Sequence, residues 1–501
     1  MYLLRVLGTV EIDGVRVLHV PGREEFTEAT LSFTVGVVDE PLVAVGVAHV
    51  VEHLAMHAVR RLPIDLNASV DLERTDFYAA GSPERVATFL RLVCESLGDL
   101  PLDRLDVEKG VLEAEGSSAC HPIASLLLST RYGALGAGVT AYAGPGPEGI
   151  NGDRVRDFAA KWFVAGNAVL KVRGELPPDL RLPLPHGERA VHVRPHGRVP
   201  VGPSVVSGDF TGAAVMLRMP AGDAAMLDVQ VISILKARIE EECRHQAGHS
   251  YSVGWAAVTG DDGSDDVVIH IDAREGKEAE VAGAVIRAVL HLAEHGPTDT
   301  DLEHAKGLIE EDWRGPAQGA YIAARDITYE LLDIAPPEPF DLSAVHAATA
   351  EQVRVCLAAA LASAVFYVPE AVVDEVATPD LRHVSTCAVV DDLPAGLTFR
   401  PGLAIRAISR EARRVRLVVT ATGLAHTDDR GRHHSVDWPD IAGVMRVSAG
   451  LLIVYGAAGC VIAVGSDMYS GGDRASEEVL SRVDPALVFE APAGMKRAIQ
   501  P

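Results

Sequence analysis

Apolar and polar residues alternate through Val10–Val20 and again through Ala29–Val38, a period of two that predicts the two strands of a hairpin. From Val43 to Arg60 the period lengthens to that of a helix, and Asp76–Ala80 returns to a strand. Pro83–Leu97 and Leu105–Ala114 are helical again, the latter continuing beyond Glu115. A second block, from about 203 to 370, has the same order of elements without repeating the residues. It opens on a strand at Gly212–Met219, then a long helix at Ala224–Arg244, strands at Tyr251–Val258 and Val267–Asp272, and helices from Glu278 onward. The C-terminal stretch reads as short strands at Val415–Ala421, His434–Val436, Gly443–Val447, Leu451–Tyr455 and Cys460–Val464, followed by one helix at Ser476–Val483. Trp438, ahead of Pro439, belongs to the core of that stretch.

The pattern therefore predicts an α+β chain. Two homologous α/β-sandwich domains, 1–185 and 204–372, are joined by a linker at 186–203 that is rich in Pro, Gly, His and Arg. Beyond a second linker at 373–400 lies a small β-barrel or roll with one helix, 401–501, similar to bacterial pleckstrin-homology-like domains. The arginines Arg406, Arg410, Arg413, Arg414 and Arg416 read as a solvated face or linker, with binding to an acidic surface as the other reading.

Composition narrows the function. The 501 residues are 48% hydrophobic and 23% charged, which is globular, and their net charge of −25 argues against a general binder of nucleic acid or of anionic membrane. The six cysteines, Cys94, Cys120, Cys243, Cys356, Cys387 and Cys460, form no C-x-x-C pair and suit buried thiols in a reducing cytoplasm. No signal-peptide pattern opens the chain. The longest apolar run, Leu451 to Gly465, is broken by Gly456 and Gly459 and reads as two strands around a turn. The expectation is a soluble cytoplasmic protein.

The chemistry concentrates at His49-Val50-Val51-Glu52-His53, an H-x-x-E-H sequence. On a helix His49 and His53 are i and i+4, so both imidazoles leave one face a turn apart, with Glu52 at the edge of that face. Two neutral nitrogens and one further anionic ligand would leave open the fourth position that catalytic zinc requires and structural zinc lacks. Histidines also serve ordinary hydrogen bonding on amphipathic helices, so a third ligand decides the matter.

Asp106-Val107-Glu108-Lys109-Gly110-Val111-Leu112-Glu113-Ala114-Glu115 brings the chain to resemble the pitrilysin/insulinase family of zinc metallopeptidases, the inverzincins, whose glutamate ligand ends an E-x-x-x-x-x-x-E stretch on a later helix. The resemblance makes Glu115 the third metal ligand and Glu108 its acidic neighbour. Glu113 lies about 200° from Glu115 around a helix and cannot face the same ion. His57 continues the histidine ladder but sits about 6 Å further along the axis than His53, and the family does not use that position. Asn67-Ala68 opens a stretch, through Tyr78, that resembles the family's cleft strand, which pairs with substrate backbone. The spacing from His53 to Glu115 is shorter than the family's, the loss falling between His57 and Asn67, where the family has a Gly-rich loop.

In the second block, Arg244 and Tyr251 resemble the family's R-x-x-x-x-x-x-Y element. The resemblance implies a zinc endopeptidase in which His49, His53 and Glu115 hold Zn²⁺ and Glu52 is the general base. Arg244 would hold a substrate carbonyl, and Tyr251 would donate its hydroxyl to the developing oxyanion. It also implies small or unfolded peptide substrates, such as a precursor's leader. A homodimer follows, or a heterodimer with a paralogous chain, because the family's chamber uses four such domains. The alternative is a non-catalytic family member, a binding or assembly subunit of a heterodimeric peptidase.

Overall fold

The computed structural model describes residues 9–20, 25–116, 120–177, 179–192, 195, 197–220, 225–246, 248–250, 253–260, 262–314, 341–376, 380–385, 387, 389–428 and 431–492. The chain divides into two compact units, one of residues 1–119, 128–191 and 385–501 and the other of 120–127 and 192–384.

The first unit holds a six-stranded sheet made of β1 (Thr9–Ile12), β2 (Val15–Val20), β3 (Thr27–Phe33), β4 (Asp65–Val70), β5 (Thr75–Gly81) and β6 (Ala168–Gly174), in the order β1-β2-β6-β3-β5-β4. The hairpin expected between Val10–Val20 and Ala29–Val38 is instead internal to the first segment. Asp13 and Gly14 both adopt positive φ, which turns β1 directly back onto β2. The parallel strand β6 separates β2 from β3. One face of the sheet is covered by α1 (Val47–Met56), α2 (Pro83–Gly98) and α4 (Gly152–Trp162), with α3 (Leu105–Glu115) packed against α1. Leu31, Phe33 and Phe77 of the sheet meet Val50, Val51 and Leu54 of α1 and Phe89 and Leu90 of α2, all fully buried. Burial of each such side chain contributes about 1.5–3 kcal/mol. The expected helix Val43–Arg60 is shorter because Gly46, at φ +92°, starts it. The helix expected to run beyond Glu115 ends there, at the left-handed Gly116.

The second unit repeats the scheme with β7 (Ser204–Gly208), β8 (Ala213–Met219), β9 (Val253–Thr259), β10 (Asp265–Ile271), β11 (Val365–Pro369) and β12 (Arg382–His383) in the order β12-β7-β11-β8-β10-β9. Its strands β7-β11-β8-β10-β9 match β2-β6-β3-β5-β4 in order and in direction, each set having one parallel pair among antiparallel ones. Only the edge strand differs: β1 is antiparallel to β2, whereas β12 is parallel to β7. Helices α5 (Leu227–Glu240), α6 (Glu278–His295), α7 (Asp299–Arg314) and α8 (Ala350–Leu361) follow, with Leu235, Val285, Val289 and Leu357 in the core. In chain order α5 stands where α1 stands, but it carries no histidine.

The C-terminal stretch forms two four-stranded sheets. One is β13 (Leu397–Phe399), β14 (Arg416–Val419), β15 (Gly423–Thr427) and β16 (His433–Asp437); the other is β17 (Ile441–Ser448), β18 (Leu451–Gly456), β19 (Val461–Val464) and β20 (Val488–Glu490). The helices α9 (Leu403–Ile408) and α10 (Gly472–Arg482) accompany them. Among the described residues the sheets do not close into a barrel, which corrects that half of the expectation and leaves the roll. Trp438 is half-buried against this core, its indole N–H donating to the Ala421 carbonyl at 3.1 Å. No described helix is long and apolar enough to cross a membrane.

A second correction concerns cysteine. Cys387 and Cys460 are joined as a disulfide, while Cys94, Cys120, Cys243 and Cys356 are buried thiols. The bonded pair is 73 residues apart in sequence and meets only through the fold of the two C-terminal sheets, so spacing alone could not reveal it. Closing a loop of that length stabilises the folded state by about 4 kcal/mol in the chain-entropy account. Replacing both cysteines with serine should therefore lower the denaturant midpoint of the C-terminal sheets. An unchanged midpoint, or six free thiols counted in the denatured unreduced protein, would remove the cross-link.

Candidate metal centre

The site begins with the start of α1. Gly46 supplies a left-handed N-cap but no side chain, so the helix's first amides need a partner from elsewhere. Glu40 provides it. The buried carboxylate accepts from Gly46 N–H at 2.7 Å and from Ala48 N–H at 2.8 Å, one oxygen to each. Burial raises the Glu40 pKa to about 8 against the pull of these two donors. The segment that carries Glu40 is itself packed under the C-terminal sheets. Val37, Leu42 and Val43 form one cluster with Met445, Val447, Tyr455 and Phe489. The Arg154 guanidinium, on α4, donates to the carbonyls of both Val43 and Ala486.

From α1, His49 and His53 project on one face, their rings 4.9 Å apart at 76°. Glu115, the last residue of α3, closes the group: its Oε2 lies 3.7 Å from His49 Nε2 and 3.6 Å from His53 Nε2. The three ligand atoms all lie within 4.8 Å of one another. Ligand atoms around a tetrahedral zinc ion stand about 3.4 Å apart, so this donor set, two imidazoles and a carboxylate, fits such an ion in size and chemistry. Glu52 is buried beside them, its Oε2 3.6 Å from His49 Nε2 and 3.8 Å from His53 Nε2.

Glu108 backs the group. Its Oε2 lies 3.5 Å from His53 Nδ1, the ring nitrogen turned away from Glu115, and its Oε1 lies 3.7 Å from the Arg104 guanidinium. That is where an outer carboxylate fixes the tautomer of a ligating histidine. His57 lies outside the metal-sized group, its Nδ1 3.8 Å from Glu108 Oε1, and Glu113 is exposed on another side of α3.

The electrostatics suit a cation. Burial first, then the Glu115 and Glu108 carboxylates, raises Glu52 to about 8. Burial first, then the neighbouring His53, lowers His49, which keeps its imidazole neutral and its lone pair available. A divalent ion would oppose the repulsion among the three acids.

Asn67 and Ala68 lie on β4, opposite Tyr78 and Phe77 of β5. β4 is the last strand of its sheet and packs against α1, so one edge of its backbone is unpaired within the sheet. Arg244 is exposed in a π-helical turn, Glu241–Gln246, that continues α5. Tyr251 lies outside the described residues. Sequence reasoning missed Glu40. The available signal was a helix start without Ser, Thr, Asp or Asn at its N-cap, which demands a remote acceptor.

Glu40→Gln keeps the shape but offers one carbonyl oxygen to two amide donors. It should weaken metal binding in a chelator competition and lower thermal stability, at a cost of about 1–3 kcal/mol for the unsatisfied N–H. Unaltered affinity and melting would show that α1 does not depend on this contact.

No protein-family model matches the sequence, and no curated protein matches it. Solved structures do resemble the fold. The inactive domain of a peptidase M16 from Pseudomonas fluorescens superimposes with a TM-score of 0.56 at 18% identity, over 72% of this chain and 97% of that one. A protease from Helicobacter pylori gives 0.58 at 14% identity, over 72% and 98%. The periplasmic protease PqqL from Escherichia coli gives 0.53 at 13% identity, over 85% of this chain and 55% of that one. The chain thus has the α+β fold found in M16 peptidase domains.

Proposed function

We propose that this chain is a zinc-dependent endopeptidase of the pitrilysin/insulinase type, acting on small or unfolded peptides. The observation that carries the reading is the convergence of His49, His53 and Glu115 on one metal-sized point, with the buried Glu52 beside it. When bound there, Zn²⁺ supplies Lewis-acid polarisation of a carbonyl and makes water a nucleophile at neutral pH. Glu52 takes the proton of the attacking water and delivers it to the leaving amine. Glu108 holds the His53 ring in register through Nδ1. The unpaired edge of β4, at Asn67 and Ala68, takes the substrate as an added antiparallel strand. In this reading Arg244 binds a substrate carbonyl and Tyr251 donates to the oxyanion.

The functional assembly pairs two chains, as a homodimer or with a paralogous partner. The chain has two sheets of matching topology and spans about half the length of PqqL. The domain assignment goes with this reading: 1–185 as the zinc-binding domain, 204–372 as its partner domain with the Arg244 element, and 401–501 as an accessory unit. Peptides of limited size, such as the leader of a precursor, are the substrates proposed.

Glu52→Gln discriminates this from a non-catalytic binding subunit. The variant should hold zinc as wild type does yet cleave an unstructured peptide library about 10²–10⁴-fold more slowly, the range a general base contributes. If wild type and variant are equally inert and the purified protein holds no zinc, the peptidase reading fails and the binding subunit stands.

A further inference from the structure

The C-terminal sheets bring together a second group of metal-ligating side chains. The sulfurs of Cys387 and Cys460 and one imidazole nitrogen of His434 all lie within 4.8 Å of one another. All three residues are buried. They arrive from three places: Cys387 from the segment ahead of β13, His434 from β16, and Cys460 from the turn between β18 and β19. Val390 moors the first beside the second, its N–H donating to the His433 carbonyl at 2.8 Å. Val436, two residues beyond His434 on the same side of β16, packs in one core with Cys387, Cys460, Leu424, Val454 and Ile462.

The two cysteines are joined as a disulfide, which needs nothing from an imidazole, yet His434 sits against them in an apolar core. Burying an imidazole requires polar partners, and Asp428 Oδ2 lies 3.3 Å from His434 Nε2. That contact satisfies a core histidine, and it is also the kind of contact that fixes the tautomer of a ligating one. The difference appears when the disulfide opens. A dithiol reductant passes it two electrons and two protons, leaving two thiols here and a disulfide on the reductant. Two thiolates without a cation are costly in such a place. A divalent ion that displaces both thiol protons forms a group of two thiolates and one neutral imidazole with no net charge, which an apolar core tolerates. Two sulfurs on a tetrahedral zinc ion stand about 3.8 Å apart, a separation that side-chain rotation reaches with the two Cα atoms left 4.7 Å apart. Thiolate and imidazole donors suit zinc and disfavour magnesium or calcium.

We propose that Cys387, Cys460 and His434 form a second, thiolate-bearing zinc site in the reduced chain, so that the disulfide and the ion are alternative ties between the segment ahead of β13 and the β18–β19 turn. This site is independent of the peptidase reading. The test uses the full chain, reduced with a phosphine and freed of it, with Co²⁺ and then Zn²⁺ as probes. Co²⁺ should give a sulfur-to-cobalt charge-transfer band, which His49, His53 and Glu115 cannot produce because they offer no sulfur, and Zn²⁺ should abolish it. The reduced chain should also bind one zinc ion more than the diamide-oxidised chain. Cys387→Ser/Cys460→Ser should lose both the band and the extra ion, which rules out the buried thiols Cys94, Cys120, Cys243 and Cys356 as its source. His434→Gln keeps both cysteines, so its folding can be checked in the oxidised form. Reduced, it should bind zinc at this site more than about tenfold more weakly, since even an outer partner of a ligand contributes that much. Equal zinc content in the oxidised and reduced chains, a band absent from the reduced wild type or persisting in the double cysteine variant, or undiminished affinity in His434→Gln overturns the proposal.

Discussion

Three carboxylates, those of the buried Glu52, the half-buried Glu108 and the exposed Glu115, crowd around the imidazoles of His49 and His53. Burial first, and then the nearby Glu115 and Glu108 charges, raise Glu52 to about 8, and a cation at this point would oppose both effects. Such a cluster would be a liability in a domain with nothing to bind there. With a divalent ion at its centre the same charges become attractive, and each acid acquires a distinct task. In the function proposed here Glu115 would complete the ligand set, Glu108 would orient His53, and Glu52 would be left to move a proton.

Holding that cluster in place requires a rigid α1. The helix is pressed to the sheet by Val50, Val51 and Leu54, and its start is tied by Glu40 through two backbone amides. Glu40 in turn depends on the Val37–Val43 segment, which packs under Met445, Val447, Tyr455 and Phe489 of the C-terminal sheets. The C-terminal stretch is therefore part of the mechanical support of the histidine helix. The matching helix α5 in the second unit has the same place in the topology and no histidine, so the shared fold alone does not create the chemistry.

Much of this was legible from local rules. The i, i+4 spacing puts His49 and His53 on one face in any helix, and seven residues bring Glu108 and Glu115 to one side of α3; that these two faces meet is not in the spacing and was implied only by the resemblance to the pitrilysin/insulinase family. What escaped was non-local. β7 and β11 are short strands without alternation, because both their faces are covered, and no period marks them. The misplaced hairpin followed from reading alternation without the Asp13-Gly14 turn, which pairs β1 with β2 first. The glycine N-cap of α1 signals that a remote acceptor is needed, but no sequence spacing singles out Glu40, because its partners are backbone amides. The open pair of C-terminal sheets and the Cys387–Cys460 bond depend on which edges meet in space.

The most direct measurement of the central claim is anomalous diffraction at the zinc absorption edge from crystals of the full chain equilibrated with Zn²⁺. One strong peak is expected about 2.0–2.2 Å from His49 Nε2, His53 Nε2 and a Glu115 carboxylate oxygen. No peak at those three atoms, or a peak that persists there after His53→Ala, would contradict the account.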